Sequence, residues 1–113
     1  MTAIVCVCQP RHNQLHLATD AALYRQDQSV VAFGTKVWPI SHWPGLVACA
    51  GNAAAVPLFG WALSQEFPTW DDMIGRASDG LTRLAGIVEE FGLNHASVLL
   101  AGISAERGPE AYT

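Results

Sequence analysis

"TAIVCVCQPRHNQLHLATD", residues 2–20, is the stretch on which the fold turns. Residues 2–9 are rich in Ile and Val and read as a buried strand. "QPRHNQ" follows, with Pro10 and Asn13 as turn signals. Residues 14–20 alternate Leu15 and Leu17 with polar neighbours and read as the antiparallel partner of the first strand. Thr2 stands at the lip of this hairpin, where most domains keep a few loose polar residues. Either it is an ordinary strand residue, or it is meant to become the first residue of the mature chain.

Beyond the hairpin, "YRQDQS" is a polar stretch. "VVAFG" and "TKVWPI" are short strands, "SHWPG" is a turn, and "LVACAG" is a buried strand ending at Gly51. "NAAAVPLFGWALSQEF" predicts a helix with Asn52 as N-cap and Pro57 close to the first turn, where it does least harm. That helix is apolar almost all round and is expected to be buried between layers or under a neighbouring subunit. "PTWDDMIGRASDGLTRLAGIVEEFG" predicts a second helix. Its apolar stripe runs Trp70, Met73, Ile74, Ala77, Leu81, Leu84, Val88 and Phe91, with Thr69 capping one end and Gly92 closing the other. "HASVLLAGI" is a further strand, and "EAYT" reads as the start of one more. Strands before and after a helix pair argue for a single α+β domain over residues 1–113, with helices on a sheet face.

Half of the 113 residues are apolar and only 14% are charged. So little charge implies that part of the surface is covered by a partner. With the all-round apolar helix it leads to the expectation of a homo-oligomer. A net charge of -4, with the arginines scattered and Lys36 the sole lysine, excludes a nucleic-acid role. No signal peptide is readable, and "AIVCVC" is too short to span a membrane. Cys6 and Cys8 lie two apart, on one strand face, which is the wrong spacing for C-x-x-C chemistry. With Cys49 they read as free thiols in a reducing compartment, so a cytoplasmic location is expected.

The chemistry returns to Thr2. A threonine hydroxyl needs a base, and once Met1 is removed that base is the residue's own α-amine. Its reference pKa of about 7.7–8.0 suits general-base work. A cation beside the hydroxyl would favour the alkoxide, and a carboxylate would hold that cation in place. Lys36, in "GTKVW", and Asp20, in "ATDAA", are the candidates. Gly51, in "CAGN", ends a strand just before a helix, and its N–H could serve an oxyanion.

These residues resemble the proteasome β-subunit and HslV-type peptidases of the N-terminal nucleophile hydrolase superfamily. "TAIVCVC" is similar to the family's opening strand, and "LATDAAL" to its Asp-bearing strand end. "LVACAGNAAAVPLF" is similar to its "AG" loop entering the first helix. Sixteen residues separate Asp20 from Lys36 and fifteen separate Lys36 from Gly51, similar to the family's intervals. The resemblance implies a four-layer α-β-β-α sandwich, of which this chain holds the first half to two-thirds. It implies Thr2 as nucleophile and base, Asp20 and Lys36 as the charge pair, and Gly51 as oxyanion donor. The implied substrate is a peptide or small amide, without cofactor or metal. The chain departs from the family in three places. Its first hairpin, at "QPRHNQLH", is about two residues too long, Ala55 stands where an acidic residue is usual, and the family's later Ser and Asp would fall beyond Thr113.

Two other readings compete. The same fold could be a non-catalytic scaffold or assembly subunit, in which Met1 would be retained. Alternatively, Cys6 or Cys8 with His16 across the hairpin could hold a metal. His12, His42 and His95 show no ligand spacing, and the four tryptophans read as core or interface anchors.

Overall fold

The computed structural model describes residues 2–93 and 96–113. Strands β1 (Ile4–Gln9) and β2 (Gln14–Thr19) form the expected antiparallel hairpin, in register from Ile4 opposite Thr19 to Gln9 opposite Gln14. Their turn is a short 3-10 segment, Pro10–His12, closed by Asn13 at φ 49°. Asn tolerates this left-handed conformation because its short polar side chain bonds locally. Pairing sends Ile4, Cys6, Cys8, Leu15 and Leu17 inward, while Val5, Val7 and His16 face out.

A second hairpin joins β3 (Ala22–Tyr24) to β4 (Val30–Phe33), with a register irregularity between Leu23 and Tyr24. β5 (Val37–Ile40), β6 (Gly45–Gly51), β7 (Ala96–Ser104) and β8 (Gly108–Tyr112) make a four-stranded antiparallel sheet in that order. The start of the "HASVLLAGI" strand, at His95, lies outside the described residues. The last strand begins at Gly108, two residues earlier than "EAYT" indicates.

Three helices pack on this sheet. α1 (Ala55–Glu66) lies over β5 and β6, α2 (Trp70–Gly75) reaches β7, and α3 (Ala77–Glu90) packs mainly on α1. The β1–β2 hairpin meets β7 and β8. The chain is thus an α+β domain with three helices and several antiparallel sheets. Its core lies between helices and sheet, where Phe59, Leu63, Phe67, Trp70 and Met73 pack against Val47 and Ile40.

Within the chain α1 buries one side, through Val56, Phe59 and Leu63, and leaves Trp61 57% exposed. Two expectations need correction. Asn52 does not cap α1 directly. Its side chain accepts from the Ala54 amide at 2.9 Å, closing a turn ahead of the helix. The single long helix over 70–91 is two helices, broken at Arg76 (φ -117°, ψ 39°), which ends α2 and starts α3. Gly75, a poor helix former, sits at the break. The buried face of α3 is Gly80, Leu84 and Ile87, so Leu84 keeps its expected place while Leu81 and Phe91 are exposed.

The caps expected at Thr69 and Gly92 form. Thr69 Oγ1 accepts from the Asp72 amide at 3.0 Å. After α3, Gly92 (φ 64°) donates to Glu89 and Leu93 donates to Val88, the paired bonds of a Schellman end. Leu93, buried, supplies the apolar contact that accompanies such an end. Trp70 lies across the cross-strand glycines Gly45 and Gly102, and a Cβ on Gly102 would stand 2.5 Å from its ring.

Candidate active site

The β1–β2 register brings the two ends of the hairpin together. Asp20 donates its amide to the Ala3 carbonyl at 3.2 Å, and the Ala3 amide donates to Asp20 Oδ2 at 2.8 Å. The carboxylate is therefore fixed at the root of β1, one residue from Thr2. Lys36 enters from the other sheet. Its carbonyl accepts from the Cys49 amide at 3.1 Å, which ties it to β6 just ahead of β5.

The Lys36 side chain is buried, with 7% of it exposed. Its Nζ donates to Asp20 Oδ1 and, at 3.3 Å, to Thr2 Oγ1. The Tyr24 ring centroid lies 5.8 Å from the same nitrogen, within reach of a cation–π contact. A carboxylate, a hydroxyl and an aromatic ring thus surround one ammonium. Asp20 is held below its ordinary value, first by the hydrogen bond from Lys36 and next by the Ala3 amide.

Thr2, Asp20 and Lys36 are brought into direct contact. Gly51 stands apart from that contact, two residues beyond Cys49 at the end of β6. Its φ of 108° is open to glycine and strained for other residues. It is the last residue of β6 paired in the β6–β7 ladder, opposite Ala96. Met1, whose removal would free the Thr2 amine, lies outside the described residues.

Tyr24 was not legible as part of this group. It falls in a three-residue strand inside a polar stretch, and no periodicity marks it.

The metal reading fails on the register. Val7 pairs with His16, so His16 faces out while Cys6 and Cys8 face in. Among the described residues no group of three or more His, Cys, Asp or Glu is placed to hold a metal ion. No described helix is long and apolar enough to cross a membrane.

No protein-family model and no curated protein matches the chain.

Proposed function

We propose that the chain is a threonine-type hydrolase of peptides or small amides, with an N-terminal-nucleophile fold of the proteasome β and HslV kind. One observation carries the reading: the buried Lys36 Nζ bridges Thr2 Oγ1 and Asp20 Oδ1. Residues far apart in sequence converge on a hydroxyl at the chain's start. A surface threonine in a strand has no use for a buried ammonium. In the same reading the domain is the first part of a four-layer α-β-β-α sandwich, and it assembles with copies of itself. The free state of Cys6, Cys8 and Cys49 supports a reducing, cytoplasmic setting.

In this reading the steps run in order. With Met1 removed, the Thr2 α-amine accepts the hydroxyl proton as Oγ attacks the substrate carbonyl. Lys36 stabilises negative charge developing on Oγ, and Asp20 orients Lys36. The family resemblance assigns the oxyanion to the Gly51 N–H. The ammonium formed at Thr2 returns its proton to the leaving amine, and water then cleaves the ester to release the acid and restore the hydroxyl.

The test is peptide hydrolysis by protein trimmed of Met1, beside a form that retains it, with a Thr-directed covalent inhibitor as mass label. Activity in the trimmed form alone, with the label on Thr2, is the expected result. Equal activity in both forms, or a label elsewhere, overturns the reading.

A further inference from the structure

The interval between Asp20 and Lys36 is one closed hairpin, β3–β4. At its root the Gly34 amide donates to the Ala21 carbonyl at 2.8 Å. At its tip the Arg25 amide donates to the Ser29 carbonyl at 2.9 Å, and the Ser29 amide donates to Asp27 Oδ1 at 2.9 Å. One leg follows Asp20 and the other runs into Lys36, so a side chain of this hairpin can reach the pair.

Tyr24 is that side chain. Leu23 pairs with Ala32 but Tyr24 pairs with Val30, so Val31 is an extra residue on β4. A bulge of this kind bends the strand and re-aims the side chains beside it. Leu23 lies over Gly34, where an added Cβ would stand 3.2 Å from Leu23 Cδ1. Successive strand residues face opposite sides, so Tyr24 leaves from the other face, and Lys36 Nζ lies over its ring at 5.8 Å.

The Lys36 ammonium has use for such a neighbour. It is a strongly hydrated charge on a flexible four-carbon stem, and it carries three donors. Asp20 Oδ1 and Thr2 Oγ1 take two of them, and among the described residues no other oxygen or nitrogen accepts from Nζ. The two bonds are unequal. Asp20 is the tighter partner and its side chain is 34% exposed, whereas the bond to Thr2 Oγ1 is long, at 3.3 Å. With these two alone, the ammonium would follow Asp20 toward water. An aromatic face within about 6 Å attracts a cation without offering it a proton acceptor.

We propose that Tyr24 is a positioning residue: its ring keeps the Lys36 ammonium on Thr2 Oγ1. In this role Tyr24 acts through Lys36 and touches no reacting atom. The contact itself is independent of any activity, and its effect on turnover rests on the hydrolase reading above. Lys36 faces the charge that develops on Oγ, so losing the ring should lower kcat and leave KM unchanged.

Lys36 is the only lysine, so protein made with isotopically labelled lysine shows a single ε-methylene NMR signal. In the wild type and in Tyr24→Phe, which keeps the ring, that signal should lie upfield, displaced by the ring current. In Tyr24→Leu it should return to the position of a solvent-exposed lysine, with an unchanged far-UV spectrum. If Tyr24→Leu perturbs the fold, Tyr24→Met replaces it under the same criterion. With a fluorogenic peptide and protein trimmed of Met1, Tyr24→Phe should keep kcat within about twofold of the wild type. Tyr24→Leu should lose about 3–30-fold at constant KM. A wild-type Lys36 signal without the upfield displacement, or one that Tyr24→Leu does not move, overturns the proposal. So does a loss confined to KM, which would make Tyr24 a substrate contact, or an equal loss in Tyr24→Phe, which would assign the effect to the hydroxyl. An inactive wild type whose Lys36 signal moves with the ring removes the hydrolase reading and supports the contact.

Discussion

Lys36 Nζ donates to Thr2 Oγ1 across 3.3 Å, although thirty-four residues separate the two in the chain. Asp20 joins them, so the first hairpin and the four-stranded sheet are pinned together by one buried ammonium. A buried charge left without its partner is costly, so the three residues should fail together rather than singly.

Acid should expose that dependence. The Asp20 carboxyl is held low by Lys36 and Ala3. A carboxylate lowered on folding adds stability above its unfolded value, about 3.9, and that contribution is lost as pH falls through the folded value. Asp27, Asp71 and Glu110 are also held low, so the wild type's acid loss is shared among them. The difference between wild type and Asp20→Asn isolates Asp20. Thermal midpoints should differ at pH 7 and converge below about pH 4. A constant gap at all pH values would contradict the assignment.

Two glycines should respond with opposite sign. A methyl on Gly102 would enter the Trp70 ring space, so Gly102→Ala should lose about 1–3 kcal/mol by overpacking. Gly86 lies inside α3 with nothing within 4 Å of an added Cβ, so Gly86→Ala should gain about 0.5–1 kcal/mol. Urea denaturation reads both. A neutral Gly102→Ala would mean that Trp70 does not sit on the Gly45–Gly102 pair.

Thr69 offers a local check. Its hydroxyl satisfies the Asp72 amide at the start of α2, and Thr69→Ala should cost about 1 kcal/mol, whereas Thr69→Ser should cost a few tenths. Equal losses would assign the effect to packing rather than to the cap.

Burial pushes the Cys49 thiol up to about 12, against about 8.5 for an unfolded thiol. Native protein at pH 9 should therefore leave Cys49 unalkylated, while the urea-unfolded chain reacts there. The sign for stability is the reverse of Asp20's: the contribution is whole below about pH 8.5 and fades as pH rises toward 12. Mass mapping of iodoacetamide adducts decides the labelling. Native modification at Cys49 would place it outside the core.

The hairpin was legible because one pattern settled it: period-two burial from Ile4 to Thr19 with Pro10 and Asn13 between. The caps at Thr69 and Gly92 were legible for the same reason, since their chemistry is local. The break at Arg76 was not. The i, i+3, i+4 stripe runs through it unbroken, and it is Gly80 rather than Leu81 that packs against Phe67 and Leu63. At the site, intervals and residue types pointed to Thr2, Asp20 and Lys36. Tyr24 depended on an irregular hairpin that no sequence period announces.

Substitutions at the site separate catalysis from scaffolding. Thr2→Ala removes the attacking oxygen and should abolish turnover of a peptide amide, by about 10³-fold or more. Thr2→Ser keeps a hydroxyl on the same backbone and should retain a measurable part. Lys36→Ala removes the charge that faces Oγ at 3.3 Å, and a loss of about 10²–10³-fold is expected, as for deleting one preorganised donor at a developing anion. The pH profile carries the remaining information. A free α-amine acts as base only when neutral, so kcat/KM should rise with pH through about 7.7–8.0 in the trimmed protein. The form retaining Met1 has an amide there and should show no such limb. Thr2→Ala with wild-type activity sinks the mechanism. Inactivity of every trimmed and folded form would instead favour the scaffold subunit, with the Lys36–Asp20 pair serving only to pin the hairpin to the sheet.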